Sequence, residues 1–160
     1  MTWPLLFLSG CAWFSTSQPT PVSATMPTLP EITRVEFRFH DASVPPPDHR
    51  SYTIQVTATE VSRVTDSYGE IVADDRRAGS EADLQAAVAA FRNAGFTLGE
   101  DRETDGCSGG TGRSVNAFSG ETEVFTGYAG ECAGGVTGPL RGDLDSFQHK
   151  MMEITGFTCL

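Results

Sequence analysis

Basic charge is scarce in this chain: 11 Lys and Arg stand against 21 Asp and Glu, for a net charge of −10, and Lys150 is the one lysine. A surface of that sign repels phosphate backbones and anionic headgroups, so no nucleic-acid partner is expected. Long apolar runs are missing as well. The stretch from Trp3 to Gly10 is too short to cross a bilayer as a helix. His40, His49 and His149 stand at no zinc spacing with one another or with a cysteine pair. No Gly-Lys-Ser/Thr completes a phosphate-binding loop, and no unit of about 20–50 residues repeats. No cofactor is therefore expected.

What is present divides the chain in three. No charged residue precedes Glu31, and residues 12–30 hold eleven Ser, Thr or Pro among nineteen positions. Such a composition cannot bury enough surface to fold and reads as a tether. Residues 31–160 are long enough for one domain with a real core. The apolar run ends in Leu8-Ser9-Gly10-Cys11, which resembles the lipobox of bacterial lipoproteins. That resemblance implies a signal peptide over 1–10, a lipidated Cys11 and a tether over 11–30. It also implies attachment to the bacterial cell envelope through lipid on Cys11. Ala12 after the cysteine implies sorting to the outer membrane.

The body opens with strands. Val35, Phe37 and Phe39 alternate with Arg34, Glu36 and Arg38, and Tyr52, Ile54, Val56 and Ala58 alternate with Thr53, Gln55, Thr57 and Thr59. Val61 to Thr65 and Glu70 to Ala73, joined through Tyr68-Gly69, extend an antiparallel meander. Ser80-Glu81-Ala82-Asp83 is a capping-box variant, behind which Leu84, Ala87, Val88 and Phe91 fall on one helical face until Gly95. Phe96 to Leu98 reads as a short strand. Val115–Ser119 and Thr122–Ala129 flank Gly120-Glu121, a hairpin link with Gly at the first central position. Gly134-Gly135 and Gly138-Pro139 read as loop. Leu144, Phe147, Met151 and Ile154 behind Asp143 predict a second helix to about Gly156. The expected fold is α+β: a mostly antiparallel sheet with two helices packed on one face.

Beyond Cys11, the thiols are Cys107, Cys132 and Cys159. Export implies an oxidising compartment, and three single bridges are possible. Cys107–Cys132 is favoured because these residues flank a two-stranded ribbon whose ends must meet. A loop of that length contributes roughly 3–4 kcal/mol in the chain-entropy model.

The glycine-rich segment Ser108, Gly109, Gly110, Thr111, Gly112 and Arg113 is then a braced loop and the candidate binding site. Gly106-Cys107-Ser108-Gly109-Gly110 matches a nucleophile elbow in form, but a strand should precede it and a helix follow. A small hydrolase using Ser108 and His149, with Asp143 nearby in sequence, is the competing reading. Asp101 to Gly106 resembles the opening of a calcium loop, yet Gly112 stands where the closing bidentate Glu belongs. Asp48-His49-Arg50 reads as a polar cluster at a strand start, and Arg141-Gly142-Asp143 as a chance integrin tripeptide.

Ser43-Val44-Pro45-Pro46 and His49 to Ile54, with Gly106 to Gly110, resemble a pattern in uncharacterised bacterial exported domains. The order strand, strand, helix, Cys, loop, hairpin, Cys is similar in layout to Streptomyces subtilisin inhibitors. That likeness implies a rigid loop presented to a protein ligand, a protease in the inhibitor version. The expected function is therefore a non-enzymatic, lipid-anchored binding module.

Overall fold

Alternation of apolar and polar residues sets the architecture in chain order. The computed structural model describes residues 31–101, 109–132 and 135–157. In it β1 (Arg34–His40), β2 (Ser51–Thr57), β3 (Glu60–Ser67) and β4 (Glu70–Ala78) form an antiparallel meander. Helix α1 (Glu81–Asn93) and the short β5 (Thr97–Leu98) follow. Next come β6 (Thr111–Ser119), β7 (Thr122–Cys132), β8 (Gly135–Thr137), β9 (Leu140–Arg141) and helix α2 (Leu144–Thr155). The seven-stranded sheet has the order β4-β3-β2-β1-β6-β7-β8, and β5 pairs with β9 in a small ribbon of its own. The fold is α+β, a mostly antiparallel sheet with both helices on one face.

The inward positions make one hydrophobic cluster. Val35 and Phe37 of β1, Ile54 and Val56 of β2, and Val115 and Ala117 of β6 are fully buried. They meet Leu84, Ala87 and Val88 of α1 and Phe147, Met151 and Ile154 of α2. Phe147 joins the layers, edge-on to Phe37 at 5.9 Å and to Phe96 at 5.1 Å, the tilted geometry that aromatic pairs prefer. The β5–β9 ribbon closes the core beneath β7 at Gly127. A Cβ there would lie 2.9 Å from Leu140 and 3.0 Å from Leu98, so only glycine admits the ribbon.

The turns and caps follow from local chemistry. Ser80 caps α1 by accepting from the Asp83 N–H at 3.2 Å, and Asp143 caps α2 by accepting from the Ser146 N–H at 3.0 Å. Gly156 ends α2 with φ of 67°. Gly120 takes φ of 57° at the first hairpin position between β6 and β7, as the sequence predicts. At the β3–β4 turn both Tyr68 (φ 52°) and Gly69 (φ 90°) are left-handed, the signature of a type I′ hairpin. Tyr68 is held in that conformation by stacking on His49 at 4.0 Å and donating its hydroxyl to the Val44 carbonyl at 2.6 Å.

Two expectations need correction. Gly134-Gly135 read as loop in the sequence, but Gly135–Thr137 is the edge strand β8, while Gly138-Pro139 is loop as expected, leading into the ribbon strand Leu140–Arg141. Backbone pairing to Gly130, Glu131 and Cys132 outweighs the low strand propensity of glycine there. The edge strand β4 also runs on past Ala73 to Ala78, because Asp75 and Arg77 find ionic partners on its inner side.

Arg77 ties three elements together. Its guanidinium donates to both Asp83 oxygens, at 2.8 and 3.0 Å, and to the Ile154 and Thr155 carbonyls at the end of α2. The Arg77 and Ser80 hydrogen bonds lower the Asp83 carboxyl to about 2. An acid depressed in the folded state stabilises it above its unfolded value of about 4, and that stabilisation fades as pH falls towards about 2. Urea denaturation at a series of pH values should show Asp83→Asn less stable at neutral pH, with a flatter fall in stability across that acid window.

Candidate functional site

Because both helices pack on one side, the other side of the sheet is open among the described residues. Alternation places Arg34, Glu36, Arg38 and His40 of β1 there, with Thr53 and Gln55 of β2, Ser114 and Asn116 of β6, and Thr126 and Tyr128 of β7. Cross-strand register aligns them in rows. One row runs Thr53, Arg38, Ser114, Tyr128, and the next runs Gln55, Glu36, Asn116, Thr126. Together they floor an open groove of about 580 Å³.

Most groups in the groove are fixed by neighbours. Thr126 donates to the Asn116 side-chain oxygen at 2.9 Å. Glu36 is paired with Arg34 at 3.1 Å, and the Arg34 guanidinium lies 3.7 Å over the Phe118 ring. Tyr128 donates its hydroxyl to Asp101 at 2.8 Å. His40 packs over Gly112, whose missing Cβ would sit 3.4 Å from that of the histidine. Burial, then the Arg38 charge, lower the His40 imidazole below its ordinary value, while Asp66 on β3 opposes them. The groove thus offers neutral donors and acceptors around one guanidinium, a set suited to holding a polar ligand.

The residues singled out from sequence fall elsewhere. Cys11, Cys107, Ser108 and Cys159 lie outside the described residues, as do the leader and tether. Cys132, the last residue of β7, is disulfide-bonded. The loop expected over 108–113 is shorter than that. Gly109 is a left-handed bend, but Thr111, Gly112 and Arg113 already belong to β6, all three paired with β7 and the last two with β1 as well. Arg113 is turned to the helix side, where it meets Asp145 at 2.6 Å and Glu131 at 3.4 Å, so it is not displayed. Pairing on both sides explains the correction: glycine breaks an isolated strand but not one held between two neighbours.

His149 sits on the exposed side of α2 and has no hydrogen-bond partner among the described residues. A serine does meet a histidine at Ser51 and His49, 3.4 Å apart and both buried. There the Tyr68 N–H donates to Nδ1 at 3.3 Å, so Nε2 carries the proton and donates to the serine. The Asp41 N–H donates to the same hydroxyl at 3.0 Å. This arrangement braces the 41–51 connector against the β3–β4 turn and does not activate a nucleophile. Asp101, the first position of the calcium-loop candidate, accepts from Tyr128, and the rest of that segment lies outside the described residues. Among the described residues no group of three or more His, Cys, Asp or Glu side chains is placed to hold a metal ion.

No family model, no curated protein and no solved structure matches the chain. The groove therefore stands on its own geometry. Sequence reading missed it because the charged and hydroxyl positions of half-buried strands look like ordinary solvated faces. The available signal was the number of such strands against only two helices, too few to cover both sides.

NMR titration should place the His40 midpoint below the usual histidine value of about 6.5. Arg38→Ala should move it part of the way back up, since the burial contribution remains. A midpoint unmoved by that substitution would show that the two side chains do not share the face.

Proposed function

We propose that this protein is a lipid-anchored module of the bacterial envelope that binds a polar ligand on the open face of its sheet, without catalysis. The observation that carries this reading is the uncovered face itself: seven strands, helices on one side, and a groove lined by hydrogen-bonding side chains on the other. The lipobox supplies the anchor at Cys11 and the disulfide at Cys132 accords with an exported protein. Pairing of Cys132 with Cys107 is part of the proposal. The protease-inhibitor version is set aside, because Thr111, Gly112 and Arg113 are fastened within β6 and could not be offered to a protease. A hydrolase on Ser108 and His149 has no supporting contact around His149.

Two measurements test the two halves. Cys11→Ala should abolish incorporation of a labelled fatty acid and release the chain from the lipid phase. That lipid-free chain should still sediment with envelope material stripped of lipid by detergent. Adding Asn116→Glu, which puts a larger, acidic side chain into the groove, should release it, whereas Ala89→Glu on the exposed side of α1 should not. Retention unaffected by Asn116→Glu would sink the sheet-face reading, and unaltered lipid labelling would sink the anchor.

A further inference from the structure

Arg38 is the exposed cation lining the groove on the bare face. Glu36, its neighbour on the same strand and side, is engaged by Arg34, and no carboxylate pairs with Arg38 among the described residues. Arg63, Arg76, Arg77, Arg113 and Lys150 have acidic partners, and Arg50 and Arg141 are turned onto backbone carbonyls, whereas Arg38 faces the groove. In a chain of net charge −10, a groove-lining guanidinium with no carboxylate partner among the described residues is a locus of opposite sign. The hydroxyls of Thr53 and Ser114 flank it in the same cross-strand row. A guanidinium presents a planar fork that matches a carboxylate, and adjacent hydroxyls can donate to the same oxygens.

The far end of that row is an aromatic ring held in place beforehand. Tyr128 is 47% exposed, its hydroxyl is anchored on Asp101, and its edge lies against Gly138. Gly138 has φ of 79°, and a Cβ there would strike the Tyr128 ring at 2.7 Å and the Tyr128 carbonyl oxygen at 2.5 Å, so glycine is required. Arg38 and Tyr128 are separated by two strand spacings, about 10 Å, which suits a chain of rings better than one small molecule. Between and beside them stand Asn116 and Thr126, able to donate and accept. Groove-lining side chains are almost all polar, so apolar anchor residues of a peptide would find no pockets.

We propose that the groove binds an acidic polysaccharide, with a sugar carboxylate on the Arg38 guanidinium between Thr53 and Ser114 and a neighbouring ring against Tyr128. The proposal rests on the sheet-face reading above and adds the chemical class of the ligand. Charge complementarity selects an acid, hydroxyls and amide select a polyhydroxylated chain, and the fixed aromatic gives a sugar ring an apolar surface to lie on.

Calorimetric titration of the whole chain in detergent tests it, with a short oligogalacturonate as probe beside its methyl ester and an oligoglutamate. The uronate should bind, and the ester should bind about tenfold more weakly or worse, having lost a charge-assisted hydrogen bond. Arg38→Ala should weaken uronate binding by a similar factor, Arg38→Lys should restore part of it, and Tyr128→Ala should weaken acid and ester alike. Circular dichroism of each variant controls for folding. Equal binding of acid and ester would overturn the carboxylate contact. Oligoglutamate binding as tightly as the uronate would overturn a sugar in favour of an acidic peptide. No uronate binding at all would overturn the class of ligand. None of these results touches the sheet-face reading, which stands or falls on Asn116→Glu in the envelope.

Discussion

The pleat of β1 is the constraint on which the rest depends. Successive side chains of a strand point to opposite faces, so a slip of one residue would exchange every inward group for an outward one. In β1 that slip would put Glu36 and Arg38 into the core and Val35 and Phe37 into water. Such a slip would also take Phe37 away from the Tyr52 and Phe147 rings that it meets. The register of β1 with β2 and β6 is thereby fixed from within. It positions Phe37 against α2 and, by the same pleat, Arg38 between Thr53 and Ser114. Core and groove are two sides of one alternation.

A seven-stranded sheet with a bare face and two edges is at risk of pairing with further strands, and the chain meets that risk locally. At β4, Thr65 opposes Ala73 while Asp66 opposes Ile71, leaving Val72 as an extra residue that kinks the edge. Beyond it Asp74 and Arg76 pair with each other, and Arg76 also reaches Glu60. Charged side chains along an edge discourage a neutral strand from docking. The opposite edge, β8, is only three residues long. The bare face is guarded differently, by polar side chains that already bond to one another. What this face presents is therefore exposed polar groups such as Arg38, with little exposed apolar surface.

How much of this was legible in the sequence depends on how local each feature is. Both helices were readable, because Ser80, Asp143, Gly95 and Gly156 act on backbone groups within a turn of themselves. β1 and β2 were readable from alternation, and so was the Gly120 turn. β8, and the start of β6 at Thr111, were not: glycine marks a break by propensity, and only pairing with neighbouring strands overrides that tendency. The groove was the least legible element. Arg38 and Ser114 become neighbours only through β1–β6 pairing, which brings together segments far apart along the domain. The contribution of Arg113 was misjudged for the same reason: its partner Asp145 lies on a helix well beyond the hairpin.

The same topology orients the groove with respect to the rest of the chain. The polypeptide joins the described fold just before Arg34, at the end of β1 where Thr33 bonds to Phe118 and Gly120. Arg38 and His40 lie towards the other end of that strand, several residues along at about 3.3 Å each. An anchor preceding residue 31 would thus attach beside the β6–β7 turn and leave the Arg38 end of the groove turned away from it. Cys132 belongs to that distal end too. By alternation it projects from the same side of β7 as Tyr128 and Gly130, and Gly130 stands in the row of Gly112 beneath His40. A covalent bond at that corner restrains the end of β7 where the sheet narrows to β8. Rigidity is thus concentrated at the Arg38 end of the groove, and a module tethered through residues before 31, as proposed, would there hold a preformed surface whose ordering costs are not charged against binding.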